Sequence, residues 1–217
     1  AAIYDAGAKQ DAEWPLDTAT CDCCTTPPAV TDRGGVVVYR GRSDDEIRDT
    51  RIVRFDGERW TPPRDVHADG WRIAGCPVNG PVVVADGATV WVAWYTEAEG
   101  MPELRAARST DAGDTFGAPV TLAKGPHVLG RLGLARGDGH LLVSWLEQAP
   151  DERQTLVLGR YDDAWRQAHH VRVATLSARG RASGIPRLQW HDDAAWLVWT
   201  DVAGDVPGLH GARVRWP

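Results

Sequence analysis

The 217-residue chain carries a formal net charge of −6, is 43% apolar, and has only two lysines, Lys9 and Lys124. That apolar content is enough for a substantial core and excludes disorder, and the lack of a basic tract excludes nucleic acid as a partner, because neutralising phosphates takes clustered cations. No apolar run approaches the roughly 20 residues a membrane-spanning helix needs, since Val82 to Trp94 is broken by Asp86 and Gly87, so no transmembrane segment is expected.

The chain opens on Ala1-Ala2-Ile3-Tyr4-Asp5, which has no signal-peptide pattern and reads as the end of a strand already under way. Upstream sequence is expected to be missing. After a cysteine-rich turn, Cys21-Asp22-Cys23-Cys24, and Pro27-Pro28, the turn Arg33-Gly34-Gly35 leads into the β-type run Val36 to Tyr39. A charged segment to Asp49 follows, then a strand from Arg51 to Phe55, the turn Asp56-Gly57, Trp60 and Pro62. The same order of parts recurs. Asp86-Gly87 precedes Val90 to Trp94, with further strands at Leu104 to Arg108 and Ala118 to Leu122. Gly137-Asp138-Gly139 precedes Leu141 to Trp145, with a strand from Thr155 to Arg160, the turn Asp162-Asp163 and then Trp165; His191-Asp192-Asp193 precedes Ala195 to Trp199. Turn residues placed so close before apolar runs are the mark of antiparallel hairpins.

The aromatic that ends each run falls at 39, 94, 145 and 199, spacings of 55, 51 and 54 residues. A period near 50 is that of kelch-like propeller blades. The expected fold is therefore all-β, a β-propeller of about four blades in an incomplete ring. It forms one domain over residues 1–217 in units 28–78, 79–129, 130–183 and 184–217, with the runs from Val36, Val90, Leu141 and Ala195 nearest the axis. A β-sandwich also has many short strands but gives no reason for the repeat.

Ser109-Thr110-Asp111-Ala112-Gly113-Asp114-Thr115-Phe116 resembles the Asp-box of bacterial neuraminidase repeats, Ser-x-Asp-x-Gly-x-Thr-aromatic, carried by residues Ser109, Asp111, Gly113, Thr115 and Phe116. As a turn, Asp111 accepts backbone N–H bonds, Gly113 permits positive φ and Phe116 closes over the hairpin. The segments Cys21 to Cys24, Tyr39 to Asp49 and Gly70 to Pro81 extend the resemblance to bacterial sialidase-like proteins, whose propeller is longer; this chain is similar to their C-terminal part. The resemblance implies a periplasmic or secreted protein, glycan or other small-molecule ligands and a further propeller portion N-terminal to this one. The Arg-Ile-Pro triplet typical of sialidases does not occur.

Two candidate sites follow. Cys21, Cys23, Cys24 and Cys76 either form a disulfide between one of the first three and Cys76 or gather as a thiolate site for copper or zinc, with His67 as an additional ligand. They are expected to converge in either case, because Cys21 to Cys24 lie just before the first unit and Cys76 just before the second. The segment from Tyr39 to Asp49 is the second site. Sialidases as a class use a Glu-activated Tyr with arginines clamping the substrate carboxylate. The resemblance thus assigns catalytic roles to Tyr39, Glu46, Arg42, Arg48 and Asp45, while their places in the chain make Arg40, Trp71, Arg181 and Asn79, which could otherwise cap a turn, candidates for substrate contact. The plainer reading makes this segment a solvated loop of local ion pairs. Most of the eleven Trp belong to packing: Trp91, Trp94, Trp145, Trp196 and Trp199 sit in the strand runs, leaving Trp71 as the ligand-facing candidate. Two classes of function stand: a glycan-directed extracytoplasmic propeller of the exo-α-sialidase type, and a metal-binding propeller working through its cysteines.

Overall fold

A computed structural model describes residues 1–177, 180–203 and 206–216, apart from the side chains of Arg181 and Ala203. The described chain is almost wholly β. A hairpin of β1 (Ala2–Tyr4) and β2 (Gln10–Glu13) comes first, and then antiparallel sheets follow in chain order. The first sheet is β3 (Pro28–Thr31), β4 (Gly34–Arg40), β5 (Thr50–Phe55) and β6 (Arg64–His67), and the second is β7 (Val82–Asp86), β8 (Thr89–Thr96), β9 (Glu103–Ser109) and β10 (Val120–Lys124). The third is β11 (Val128–Gly137), β12 (His140–Gln148), β13 (Gln154–Tyr161) and β14 (Gln167–Leu176); the fourth, after a 3-10 turn at Gly180–Ser183, is β15 (Arg187–His191), β16 (Ala194–Ala203) and β17 (Val206–Val214). Every sheet is a meander in sequence order, the pattern that short turns impose on consecutive antiparallel strands.

Three apolar layers fill the spaces between neighbouring sheets, and strand parity decides which residue joins which layer. On β8, Val90, Val92 and Trp94 pack with Val36, Val38, Ile52 and Val66 of the first sheet. The alternate residues Trp91, Ala93 and Tyr95 pack with Leu141, Val143, Trp145 and Val157 of the third. From the third sheet, Leu142, Leu146, Leu156 and Leu158 meet Ala195, Leu197 and Trp199 of the fourth. A strand covered on both faces has no polar side, which is why these runs read as continuously apolar. Trp196 is the exception among the strand-run tryptophans, 42% exposed on the outer face of the fourth sheet beneath Arg213.

The position of the axis corrects the expectation from sequence. Adjacent sheets meet through their first strands, β3 against β7, β7 against β11 and β11 against β15. These polar-edged strands lie innermost, and the aromatic-ended runs lie one strand further out. The most apolar strand marks the middle of a blade, where both faces are covered, and not its inner edge. No comparable contact returns from β15 to β3 among the described residues, so the blades form an open arc.

Candidate functional site

Tyr39 and Arg40 are neighbours on β4 and therefore face opposite sides of the first sheet. Arg40 continues the row of Val36 and Val38 toward the second sheet and is 1% exposed. Its Nε and Nη2 donate to the Asn79 carbonyl at 3.0 and 2.8 Å, Nη2 also to the Tyr95 carbonyl at 2.7 Å, and Nη1 to the Arg48 carbonyl at 2.5 Å. Its guanidinium carbon lies 4.9 Å from the centre of the Trp71 ring, which in turn packs on Tyr95. Burial lowers the pKa of Arg40, and the neighbouring sulfurs of Cys24 and Cys21 act in the opposite direction.

Those sulfurs belong to a cluster built from two loops. Cys21 is tied to the end of β4 by its backbone N–H on the Arg40 carbonyl, and Thr20 bridges Gly41 alongside it. Cys23 and Cys76 form a disulfide with Cα atoms 6.3 Å apart, within the usual range for such a bond. The Cys21 sulfur lies 3.0 Å from that of Cys24 and 3.4 Å from that of Cys23. The cysteines thus converge, as adjacent-blade positions should. Gly80 makes the approach feasible: a Cβ there would fall 2.3 Å from Thr25 Oγ1 and 2.6 Å from the Thr25 backbone. Burial first, then the hydrogen bond with Cys21, pushes the Cys24 thiol up to about 11.

On the opposite face of β4, the Tyr39 hydroxyl donates to Asp17 Oδ2 at 2.7 Å, and Arg51 Nη1 reaches the same oxygen at 3.1 Å. Burial and the Asp17 charge raise the Tyr39 phenol well above its ordinary value. Burial alone would raise Asp17 too, but hydrogen bonds from Tyr39, the Ala19 N–H and Arg51 outweigh it and hold the carboxyl below its ordinary range. Trp14, Leu16, Asp17, Thr20, Val37 and Tyr39 line a cavity of about 260 Å³ here. Nothing in the sequence singled out Asp17. An acid just after Trp14-Pro15-Leu16 carries no signal until the fold lays that segment across β4.

The expected pairing of Tyr39 with Glu46 is not made. Glu46 Oε1 accepts from Arg42 and its Oε2 accepts from Arg48 Nη2 at 2.6 Å, so both oxygens belong to a local ion-pair fork while the Tyr39 hydroxyl belongs to Asp17. Hydrogen bonds from Arg42 and then Arg48 keep the Glu46 pKa low. Arg42, Ser43, Asp44 and Glu46 line a separate cavity with Thr18 to Thr20, and Asp45 sits exposed in the turn.

Three residues expected to face a ligand are buried instead. Arg40 and Trp71 lie between sheets, and Asn79 is used up on backbone, its Oδ1 accepting from the Arg131 N–H and its Nδ2 donating to the Leu129 carbonyl. The β4 parity and the short 76–80 turn direct them inward. His67, expected as an extra metal ligand, is held elsewhere: its Nδ1 lies 2.8 Å from Asp69 Oδ1 and its ring stacks on Trp94. The side chain of Arg181 lies outside the described residues. The 109–116 turn closes on itself. Ser109 Oγ donates to Asp111 and accepts from the Gly113 N–H, while the Thr115 N–H and hydroxyl both donate to Asp111. Gly113 has φ 83° and meets Ile52, and Phe116 packs against the layer between the first two sheets.

No family model matches the chain, and neither does any curated protein. Solved structures do. The chain superposes on the phage phi92 endosialidase with a TM-score of 0.65 at 11% identity, covering 88% of this chain and 35% of that one. A Trypanosoma rangeli sialidase, solved with 2,3-difluorosialic acid as a covalent intermediate, gives 0.58 at 14% identity, over 97% of this chain and 38% of that one. An endo-arabinase from Bacteroides thetaiotaomicron gives 0.57 at 14%, over 96% and 82%. At such identities the likeness defines the fold, a β-propeller, and the chain spans little more than a third of the first two proteins.

Proposed function

We propose that this chain is a carbohydrate-recognising β-propeller module of a periplasmic or secreted protein, and that it reads a glycan at the Tyr39 cavity without hydrolysing it through Tyr39 and Glu46. The observation that carries this reading is the convergence of Trp14, the Tyr39 phenol and the ionised Asp17, itself held by Arg51, on one cavity. An aromatic face takes the apolar side of a sugar ring, and a few fixed polar groups take its hydroxyls. Several structurally similar propellers are named for action on sialic acid or arabinan, ligands of the same chemical class. The agreement of 109–116 with the Asp-box and the Cys23–Cys76 disulfide support export to an oxidising compartment.

Turnover is disfavoured by the same geometry. The Glu46 expected to take the Tyr39 proton is held by Arg42 and Arg48 instead, and burial favours the protonated phenol. Calorimetry against sialosides and arabino-oligosaccharides should give binding that weakens at least tenfold in Trp14→Ala, with no sugar released. No binding at millimolar ligand overturns the recognition. Release that disappears in Tyr39→Phe overturns the absence of catalysis.

A further inference from the structure

The geometry points to a second site. We propose that Cys21, Cys23, Cys24 and Cys76, once the Cys23–Cys76 bond is opened by a dithiol, hold one thiophilic d10 cation, Zn(II) or Cu(I), as a tetrathiolate. Three of the sulfurs are already gathered, with Cys21 3.0 Å from Cys24 and 3.4 Å from Cys23, and Cys76 is joined to Cys23 by the disulfide. Metal–sulfur bonds of about 2.3 Å in a tetrahedron set neighbouring sulfurs about 3.8 Å apart, so each of these pairs has to part by less than about 1 Å.

Charge supplies the second argument. Arg40 is buried, and among the described residues no carboxylate lies within ion-pair distance of it. Its fork donates to three carbonyls, and the Cys24 and Cys21 sulfurs are near enough to act on its charge. Asp69, which acts on Arg40 at longer range, is committed to Arg105, His67 and Trp94. A buried cation without a counter-charge is costly, and neutral thiols provide none. Four thiolates on a Zn(II) or Cu(I) ion carry net negative charge and supply it.

The backbone carries a third sign. Val78, two residues after Cys76, has φ 50°, a left-handed conformation that a β-branched residue adopts only where its surroundings force it. It holds Cys76 over the cluster while Cys76 itself stays exposed, so the disulfide is reachable from solvent and Cys21 is not. The chemistry balances. One thiol of the dithiol attacks a disulfide sulfur, its second thiol closes to release the mixed disulfide, and two electrons and two protons pass to Cys23 and Cys76. Metal binding then displaces the four thiol protons.

The test uses the whole chain with Cd(II) as a spectroscopic probe, since its thiolate charge-transfer band grows with the number of sulfurs bound. After anaerobic reduction by a phosphine, one equivalent of Cd(II) should bind at least 100-fold more tightly than to the oxidised protein. Cys24→Ser, which leaves the disulfide partners intact, should cut the band by about a quarter. Competition against a chromogenic Zn(II) chelator and, separately, a Cu(I) chelator identifies the ion, and tight binding of either sustains the site. A reduced chain that keeps its circular dichroism and exposes four titratable thiols but takes up no metal overturns the proposal, as does uptake unchanged in Cys24→Ser. Trp14→Ala should leave metal uptake unaltered, so this site and the glycan reading fail separately.

Discussion

The 109–116 turn and the neighbourhood of Arg40 are both dense polar knots, and they are built in opposite ways. In the turn, Ser109 and Asp111 find their partners within four residues. Arg40 finds its partners 8, 39 and 55 residues away, on the carbonyls of Arg48, Asn79 and Tyr95. The first knot forms as soon as the chain bends. The second exists only once two sheets have docked, and it then reports on that docking.

This difference can be broken experimentally. The largest effect is expected from Arg40→Met, which keeps the volume but strands buried carbonyls, at a cost of about 3 kcal/mol or more in urea unfolding. A loss below about 1 kcal/mol would mean that the guanidinium does not organise the interface between the first two sheets. Asp111→Ala should cost about 2 kcal/mol, because the Ser109 and Thr115 donors lose their acceptor. Burial alone would raise the Asp111 pKa, but bonds from Ser109 and Thr115 hold it down to about 2. A depressed folded pKa stabilises above the unfolded value and is lost as pH falls through the folded one, so this contribution should disappear between about pH 4 and pH 2. Wild-type stability should therefore fall more steeply across that window than that of Asp111→Ala. The smallest effect is expected at Asp114, which gathers Arg33, Arg54 and Arg64 at 2.9, 2.9 and 2.7 Å on a partly solvated surface. Asp114→Ala should cost about 1 kcal/mol or less, and the difference should shrink in 1 M salt.

The blades were legible because the central strands of the second and third sheets are covered on both faces, and their apolar runs survive in one dimension as Val90 to Trp94 and Leu141 to Trp145. Their order from the axis was not legible. Burial is greatest in mid-blade, so hydrophobicity alone points one strand too far out. The cysteines were legible as a convergence, since the repeat makes Cys21 to Cys24 and Cys76 equivalent positions in adjacent blades. Tyr39 and Glu46 had the right residue types for a catalytic pair, but residue type says nothing about which carboxylate a side chain meets.

By itself the sequence determined the features whose causes are local: the period of the strands, the turn chemistry and the closed hydrogen-bond ring of 109–116. Tertiary structure decided the rest. Strand parity on β4 sent Tyr39 to Asp17 and Arg40 to the Asn79 and Tyr95 carbonyls, and docking of the second sheet chose Cys23 as the partner of Cys76. The physical reason is one of reach. A turn satisfies its own backbone within a few residues, whereas a buried guanidinium, a disulfide and a cavity wall each need groups brought together from segments tens of residues apart.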